Sequence, residues 1–390
     1  MNRLMDIKNE SDFDIVLNDS VMSNDEDRGE VTIRMVQDTI IEFLNALKEA
    51  TMGLNVITNE PVKTMHTIVI SSPVDDVNER LVFYSTPNGL VRFARQMRTL
   101  VQIFTLLVNE RRATKRDLFY EGKHLYGKQD RLDRNVSKFC RFFSRARYEL
   151  NVMSSGKGCV MGRLQLVNKY GKILNFDAAP IAIVEDLCEF EHIFIDATFI
   201  LIVEKDSMFR RLIDNGFFEH LPDVLLITAR GFPDFNTRYF LRWLLDMRPI
   251  PLFVLVDYDP FGFHIFMEYR YGNPKTMVES GNILLPEAQL FGMTSAQVDG
   301  LNLQKLPLTE CDHKRLKLVK NLAKSIGDVV VENEIQNLEN RVYKIQLEAW
   351  AAIQPDYLIR NVLKPHFDIL RTCRNVITDI MDCAVYSPIV

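Results

Sequence analysis

From about Asp177 onward the sequence alternates short apolar runs with helix-patterned segments, without an internal sequence repeat. The runs are Ile193–Val203, Val224–Thr228 (VLLIT) and Leu252–Val256 (LFVLV). The segments after them, Met208–Asn215, Asn236–Met247 and Phe261–Tyr271, carry apolar residues at helical spacing. A strand without polar alternation is buried on both faces. Such strands alternating with helices predict a parallel sheet covered on both sides, hence an α/β fold for this half of the chain. At roughly 100–200 residues per domain, the 390 residues make two or three domains.

Two of the apolar runs end in acids. Phe199-Ile-Leu-Ile-Val203 leads into Glu204-Lys-Asp206, and Leu252–Val256 leads into Asp257-Tyr-Asp259-Pro260-Phe-Gly262. In an open parallel sheet the carboxyl ends of the strands face the ligand crevice. Asp257 and Asp259 are two apart on extended chain, so both can point to one side, and Glu204 can join them from a neighbouring strand. Three carboxylates converging there repel one another unless a cation sits among them. Oxygen ligands on a partly hydrated site suit Mg²⁺. The competing reading is that Asp206 and Asp259 merely cap the helices that follow. Two acidic strand ends together, one with the pattern DxDPxG, favour Glu204, Asp257 and Asp259 as metal ligands.

Charge is distributed unevenly. Met1–Glu30 holds about nine acids against three bases, roughly -6, and reads as a disordered acidic tail. The remainder is near neutral, but Val91–Leu150 carries about fifteen Lys and Arg against six acids, roughly +9. A local basic field is what a polyanion meets, whatever the whole-chain balance. A solvated basic helix face is the bland alternative. The apolar runs fall well short of the ~20 residues that span a bilayer. No membrane partner is therefore expected, and Met1–Glu10 places Asp6 and Glu10 where a signal peptide would need an apolar stretch, so secretion is not expected either. The six Cys form no CxxC pair, which fits a reducing compartment.

In the N-terminal half, Val31, Ile33, Val36, Ile40, Phe43, Leu44 and Leu47 recur at helical spacing and predict a helix over 31–50 that packs in a core or docks on a partner. His66–Ser71 and Arg80–Tyr84 read as strands. Leu90–Glu110 is an amphipathic helix with Phe93, Met97, Leu100, Val101, Phe104 and Val108 inward. Thr114 can cap a helix beginning at Lys115, with Asp117 near its positive end. Leu132–Leu150 gives a third helix with Arg134, Lys138, Arg141 and Arg145 on one face. Gly156–Leu166 and Asn168–Leu174 follow as hairpin strands. Together these read as a winged-helix (CAP-like) DNA-binding domain. The expected organisation is a tail over 1–30, a helix and strand region over 31–90, a winged-helix domain over 91–176 and an α/β domain with a helical C-terminal elaboration over 177–390.

A glutamate at one strand end and DxD at a later one resemble the Toprim fold of topoisomerases and primases. Further motifs resemble the topoisomerase VI A-subunit family, which includes its eukaryotic meiotic relatives, the double-strand-break transesterases. They are Ala113-Thr-Lys-Arg-Asp-Leu-Phe-Tyr120, Ser155-Gly-Lys-Gly158, Val203-Glu-Lys-Asp206, Gly231-Phe-Pro-Asp234 with Thr237-Arg238, and Asp257-Tyr-Asp-Pro-Phe-Gly262. Tyr269-Arg-Tyr-Gly272 and Lys344-Ile-Gln-Leu-Glu348 are weaker matches. The motifs keep the family's order across about Phe93–Phe367. Ala229-Arg230-Gly231 departs from the more usual Gly-Lys/Arg-Gly, and Pro61–Ser85 matches no pattern.

The resemblance implies that Tyr120 attacks a DNA phosphate and becomes joined to the 5′ phosphate, making meiotic double-strand breaks. A phenol ionises near pH 10, so it needs help. Arg116, one turn before it, can favour the phenolate or bind the scissile phosphate. An ordinary tyrosine packed beside Phe119 is the competing reading. Glu204, Asp257 and Asp259 would hold Mg²⁺, with Asp206 behind them. Arg112, Lys115, Lys157, Arg163, Arg230 and Phe232 are candidates for contact with double-stranded DNA. The resemblance also implies a homodimer when active, a topoisomerase VI B-like partner, accessory break-forming proteins, and residence in the nucleus on meiotic chromosomes. The basic run His313–Lys320 is a weak import signal. Three other readings stay open: the A subunit of an ATP-dependent type IIB topoisomerase, a Toprim nuclease or primase-like enzyme, and a non-catalytic DNA-binding scaffold. The chain has no GxxxxGK[ST] loop of its own.

Overall fold

The computed structural model describes residues 15–16, 19–52, 67–74, 77–84, 86–153, 156–184, 187–273, 283–299 and 301–373. Apolar side chains gather into two cores. The first runs from Val36 to Val152, and the second from Cys159 to Phe367.

The first core is built mainly on helices. Asp19–Met52 is one long helix, so the expectation of a disordered tail to residue 30 is corrected over its last twelve residues. The later turns of this helix are anchored by packing. Residues 1–14 lie outside the described residues. The buried face of this helix is Thr32, Val36, Thr39 and Phe43. Val31, Leu44 and Leu47, expected inward, are exposed.

Thr86 starts the next helix, Pro87–Val108, earlier than periodicity alone indicates. Its hydroxyl accepts from Gly89 N at 3.1 Å, and proline follows at the first helical position. Thr99, Leu100, Ile103 and Leu107 are buried along it, while Val101 and Val108 face solvent. Gln129–Phe143 lies across this helix and buries Leu132, Val136, Phe139 and Phe143.

The second core surrounds a six-stranded sheet in the order Gln289–Leu290, Leu252–Leu255, Phe199–Val203, Val224–Thr228, Cys159–Met161, Ile181–Ala182. The first four strands are parallel to one another. Phe199–Val203, Val224–Thr228 and Leu252–Leu255 are buried at every position, as continuous apolar runs require. Helices Asp206–Asp214, Phe235–Met247 and Pro260–Tyr271 follow the three strands in turn. The run Ile193–Val203 proves to be two strands. Phe190–Ile195 alternates in exposure and pairs antiparallel with Leu164–Asn168, whereas Phe199–Val203 enters the parallel sheet.

The hairpin assigned to a wing is also corrected. Cys159–Met161 pairs antiparallel with Val224–Thr228 and so belongs to the parallel-sheet core. Leu164–Asn168 pairs with Ile173–Asn175 and with Phe190–Ile195. The boundary between the cores therefore falls between Val152 and Cys159, well before residue 176. Strand-forming sequence alone cannot tell which sheet a strand will join.

Gly158 explains part of that connection. A Cβ there would meet Thr237 Oγ1 at 2.5 Å, Ile183 Cδ1 at 2.6 Å and the Thr228 carbonyl at 3.0 Å. The chain passes so close to the neighbouring strand end that only glycine fits. Among the described residues no helix is long and apolar enough to cross a membrane. Gly158→Ala is expected to destabilise the protein by about 1–3 kcal/mol through overpacking, read as a lower midpoint in thermal or urea unfolding. An unchanged midpoint would contradict the close approach.

Candidate active site

Register brings the acids together. Val203 pairs with Leu255 and Ile202 with Ile227, so three parallel strands end level. Glu204, Asp257 and the turn Ala229–Gly231 emerge side by side at that end. Glu204 N donates to Leu255 O at 3.0 Å, and Gly231 N donates to Glu204 O at 2.7 Å.

The three carboxylates are all buried, at 9% exposure for Glu204, 2% for Asp257 and 8% for Asp259. Each is held by backbone donors. Glu204 Oε2 accepts from Asp257 N at 3.0 Å. Asp257 Oδ1 accepts from Leu347 N at 2.9 Å, and its Oδ2 pairs with Lys205 Nζ at 2.7 Å. Asp259 Oδ1 accepts from Gly262 N at 2.7 Å, capping the helix Pro260–Tyr271. A Cβ on Gly262 would lie 2.4 Å from the Asp257 carbonyl oxygen, which accounts for the glycine of DxDPxG.

Burial raises the proton affinity of all three. Glu204 is pushed up to about 8, first by burial and then by the charge of Asp257. Asp257 is pushed up to about 6 by burial, against the pull of Lys205. Asp259 is raised by burial, against its backbone hydrogen bond from Gly262. The acids are thus neighbours that feel one another's charge. They do not, however, converge as a closed cage: among the described residues no three His, Cys, Asp or Glu side chains are gathered as a metal-binding group. Each carboxylate has an oxygen turned to its own backbone donor.

Asp206 does not cap its helix. Burial pushes its carboxyl up, but hydrogen bonds from Arg210 (2.9 Å) and Arg230 (3.1 Å) outweigh this and hold it below its ordinary value.

Tyr120 lies in the other core's territory, on the helix Lys115–Glu121. Thr114 caps that helix as the sequence indicates. Its hydroxyl accepts from Asp117 N at 3.2 Å, and Asp117 Oδ2 accepts from Thr114 N at 3.0 Å. Buried Leu118 anchors the helix, and Gln102 Nε2 donates to its carbonyl at 3.0 Å. Tyr120 is 56% exposed, with the Phe119 ring 5.6 Å away, centroid to centroid. Arg116 and Lys123 stand over the ring at 5.8 and 6.0 Å.

The candidate DNA contacts divide. Arg112 and Lys115 flank the start of the Tyr120 helix. Lys157 and Arg230 lie at the acid end of the sheet, where Lys157 N donates to Asp234 Oδ2 at 2.8 Å and Lys157 Nζ approaches Arg230 O at 3.5 Å. Arg230 takes a left-handed backbone (φ 57°) and its guanidinium also reaches Cys159 Sγ at 3.1 Å. Arg163 falls elsewhere. It follows a strand antiparallel to Val224–Thr228, which carries it to the opposite end of the sheet, where it pairs with Asp196 at 3.0 Å. Phe232 is partly buried, edge-on to His264 at 5.1 Å and beneath Arg315 at 5.7 Å.

Several participants were not assigned from sequence. Lys205 bridges Asp257 and Glu348, and Asp234 both caps the helix Phe235–Met247 and holds Lys157 N. Arg315 Nη1 lies 2.8 Å from His264 Nδ1, and burial together with that cation pushes His264 down to about 4. Lys205, Asp234 and Glu348 each stand within a quoted motif, whereas Arg315 and His264 offered no signal.

Known proteins share this sequence pattern. Residues 199–367 match the family profile of the Toprim domain of the topoisomerase 6 A-subunit/Spo11 group, and residues 91–152 match Type IIB DNA topoisomerase. The chain is 30% identical over 274 residues to the meiotic recombination protein spo-11 of Caenorhabditis elegans, an alignment covering 70% of this chain and 64% of that protein. It is 29% identical over 286 residues to meiotic recombination protein SPO11 of Mus musculus, covering 72% of each. It is 28% identical over 328 residues to the A subunit of type 2 DNA topoisomerase 6 from Saccharolobus shibatae, covering 76% of this chain and 81% of that one.

The buried acids give a pH signature. Glu204 binds its proton more tightly folded than unfolded, so its contribution to stability is present below the ordinary carboxylate range and is lost as pH rises towards about 8. In divalent-free buffer the melting temperature is expected to fall across that window. Glu204→Gln, which cannot ionise, should flatten the fall. A wild-type profile as flat as the variant's would contradict the burial of this carboxylate.

Proposed function

We propose that this chain, a member of the family formed by the topoisomerase 6 A subunits with the Spo11 proteins, makes double-strand breaks in meiotic DNA by transesterification. The observation that carries the reading is an exposed phenol beside two cations, in a chain that also buries three carboxylates at the ends of parallel strands. Tyr120 is the nucleophile. Its oxygen attacks a backbone phosphorus in line, the 3′ oxygen leaves, and the 5′ phosphate is joined to the tyrosine. One phosphoester replaces another, so cleavage itself consumes no nucleotide. Arg116 stabilises the phenolate or the phosphate it attacks.

The donors at the sheet end fit a hard divalent cation. They are all carboxylates, and the charges of Asp257 and Asp259 both raise the proton affinity of Glu204, which is the strain a cation relieves. Glu204 and Asp257, with Asp259 beside them, would hold Mg²⁺, whose charge would stabilise the leaving oxygen or anchor the DNA backbone. The helices Pro87–Val108, Lys115–Glu121 and Gln129–Phe143 act as a winged-helix-type DNA-binding unit. Arg112, Lys115, Lys157 and Arg230 line the DNA path through phosphate contacts, which makes binding sequence-tolerant and salt-dependent. Arg163 lies away from this path, at the other end of the sheet.

Tyr120's ring meets Phe119, Arg116 and Lys123, all in its own unit, while the acids belong to the second core. That separation favours a homodimer in which the tyrosine of one copy works beside the acids of the other. A topoisomerase VI B-like partner would assemble with it, together with accessory break-forming proteins, in the nucleus on meiotic chromosomes. The long alignment with a topoisomerase 6 A subunit favours a second reading, the A subunit of an ATP-dependent topoisomerase. The two share the cleavage step and differ in whether a partner ATPase drives strand passage and resealing.

Tyr120→Phe is expected to abolish the covalent protein–DNA adduct recovered after denaturation, leaving the fold intact by circular dichroism. Asp257→Asn should lower adduct yield by roughly 100-fold or more. Adducts persisting in Tyr120→Phe would defeat the assignment of the nucleophile. Yields indifferent to Asp257→Asn would defeat the metal assignment.

A further inference from the structure

Lys205 and Glu348 have no part in the cleavage chemistry itself. Lys205 follows Glu204 directly, and its Nζ lies 2.7 Å from Asp257 Oδ2 and 2.8 Å from Glu348 Oε2. Glu348 Oε1 also accepts from Ser207 Oγ at 3.3 Å. Glu348 opens the helix Glu348–Ile353, and the residue before it, Leu347, donates its N–H to the other oxygen of Asp257. Both oxygens of Asp257 are therefore engaged, one by a backbone amide and one by a side-chain ammonium.

The two contacts differ in what it takes to break them. The amide of Leu347 cannot leave without moving the backbone. Lys205 ends on a flexible four-carbon stem and already touches a second carboxylate, so its ammonium can withdraw from Asp257 without becoming unpaired. A buried ionised carboxylate is costly, so a cation beside Asp257 stabilises its charged form.

We propose that Lys205 is the internal counter-ion of the acid site, neutralising Asp257 when no divalent cation is bound and moving wholly onto Glu348 when one arrives. This positioning role rests on the reading that Glu204 and Asp257 hold Mg²⁺. A doubly charged ion at Asp257 repels an ammonium so near to it, and Glu348 keeps a countercharge ready for the displaced Lys205. The Lys344–Glu348 motif thereby gains a use, because its last two residues supply the fixed amide and the waiting carboxylate. Opposite effects follow from removing each partner. Without the ammonium, a divalent ion meets no competitor. Without the Glu348 charge, Lys205 has only Asp257 to hold.

The test titrates the full-length protein with Mn²⁺, reading the free ion by electron paramagnetic resonance with Mg²⁺ as competitor, alongside thermal unfolding. Lys205→Met is expected to bind Mn²⁺ roughly tenfold more tightly than wild type. It should melt at a lower temperature in the absence of metal, with the gap closing at saturating Mg²⁺. Glu348→Gln is expected to bind roughly tenfold more weakly. Unchanged or weaker binding in Lys205→Met overturns the counter-ion role while leaving the metal reading intact. If Lys205→Met does not fold, unchanged or tighter binding in Glu348→Gln overturns it equally. A wild-type protein that takes up no Mn²⁺ removes the metal reading, and this inference with it.

Discussion

Three carboxylates taken out of water at the ends of neighbouring strands set the terms for the rest of this molecule. An isolated buried charge costs several kcal/mol or more, so each must be met by donors already in place. The fold provides them from its backbone: Asp257 N for Glu204, Leu347 N for Asp257, Gly262 N for Asp259. Lys205 adds a side-chain ammonium. This need explains features that otherwise look incidental. Gly262 lets a helix begin against the Asp257 backbone, and the C-terminal segment returns to the sheet so that Leu347 and Glu348 reach it. The continuous apolar strands behind the acids make the rigid floor on which such a costly cluster is held.

The proposed nucleophile follows the opposite logic. Tyr120 stands at the end of a short helix, fixed from below by Leu118 and at its start by the reciprocal Thr114–Asp117 cap, with its ring largely in solvent. A phenol that must reach a DNA phosphate has to be accessible. Carboxylates that must hold a cation have to be enclosed. Placing the two on separate cores lets each be built without compromise, and under the proposed function their meeting is left to assembly on DNA.

Much of this was legible in the chain. The buried parallel strands could be read from uninterrupted apolar runs, and the helix at Lys115 from its threonine and aspartate. The positions of Glu204, Asp257 and Asp259 followed from where those strands end. The Thr86 cap, the outward face of Val101 and Val108, and the break within Ile193–Val203 were not legible. Helix periodicity locates an apolar stripe but not its edges. A residue at the margin is buried or exposed according to what packs beside it, and Gln96, Thr99 and Gln102 are buried in this helix while two valines are not.

By itself the sequence determined which residue types stand at which strand ends and helix starts, because those depend on local pattern and on neighbours a few positions away. Only the tertiary structure decided which distant residues meet them. Cys159–Met161 joins the parallel sheet rather than a wing, Arg163 is carried away from the acids, and Glu348 arrives beside Lys205 across 143 positions of chain. The physical reason is that strand pairing and ion pairing between remote segments are chosen by the burial of the whole core, and no local stretch of sequence contains that choice.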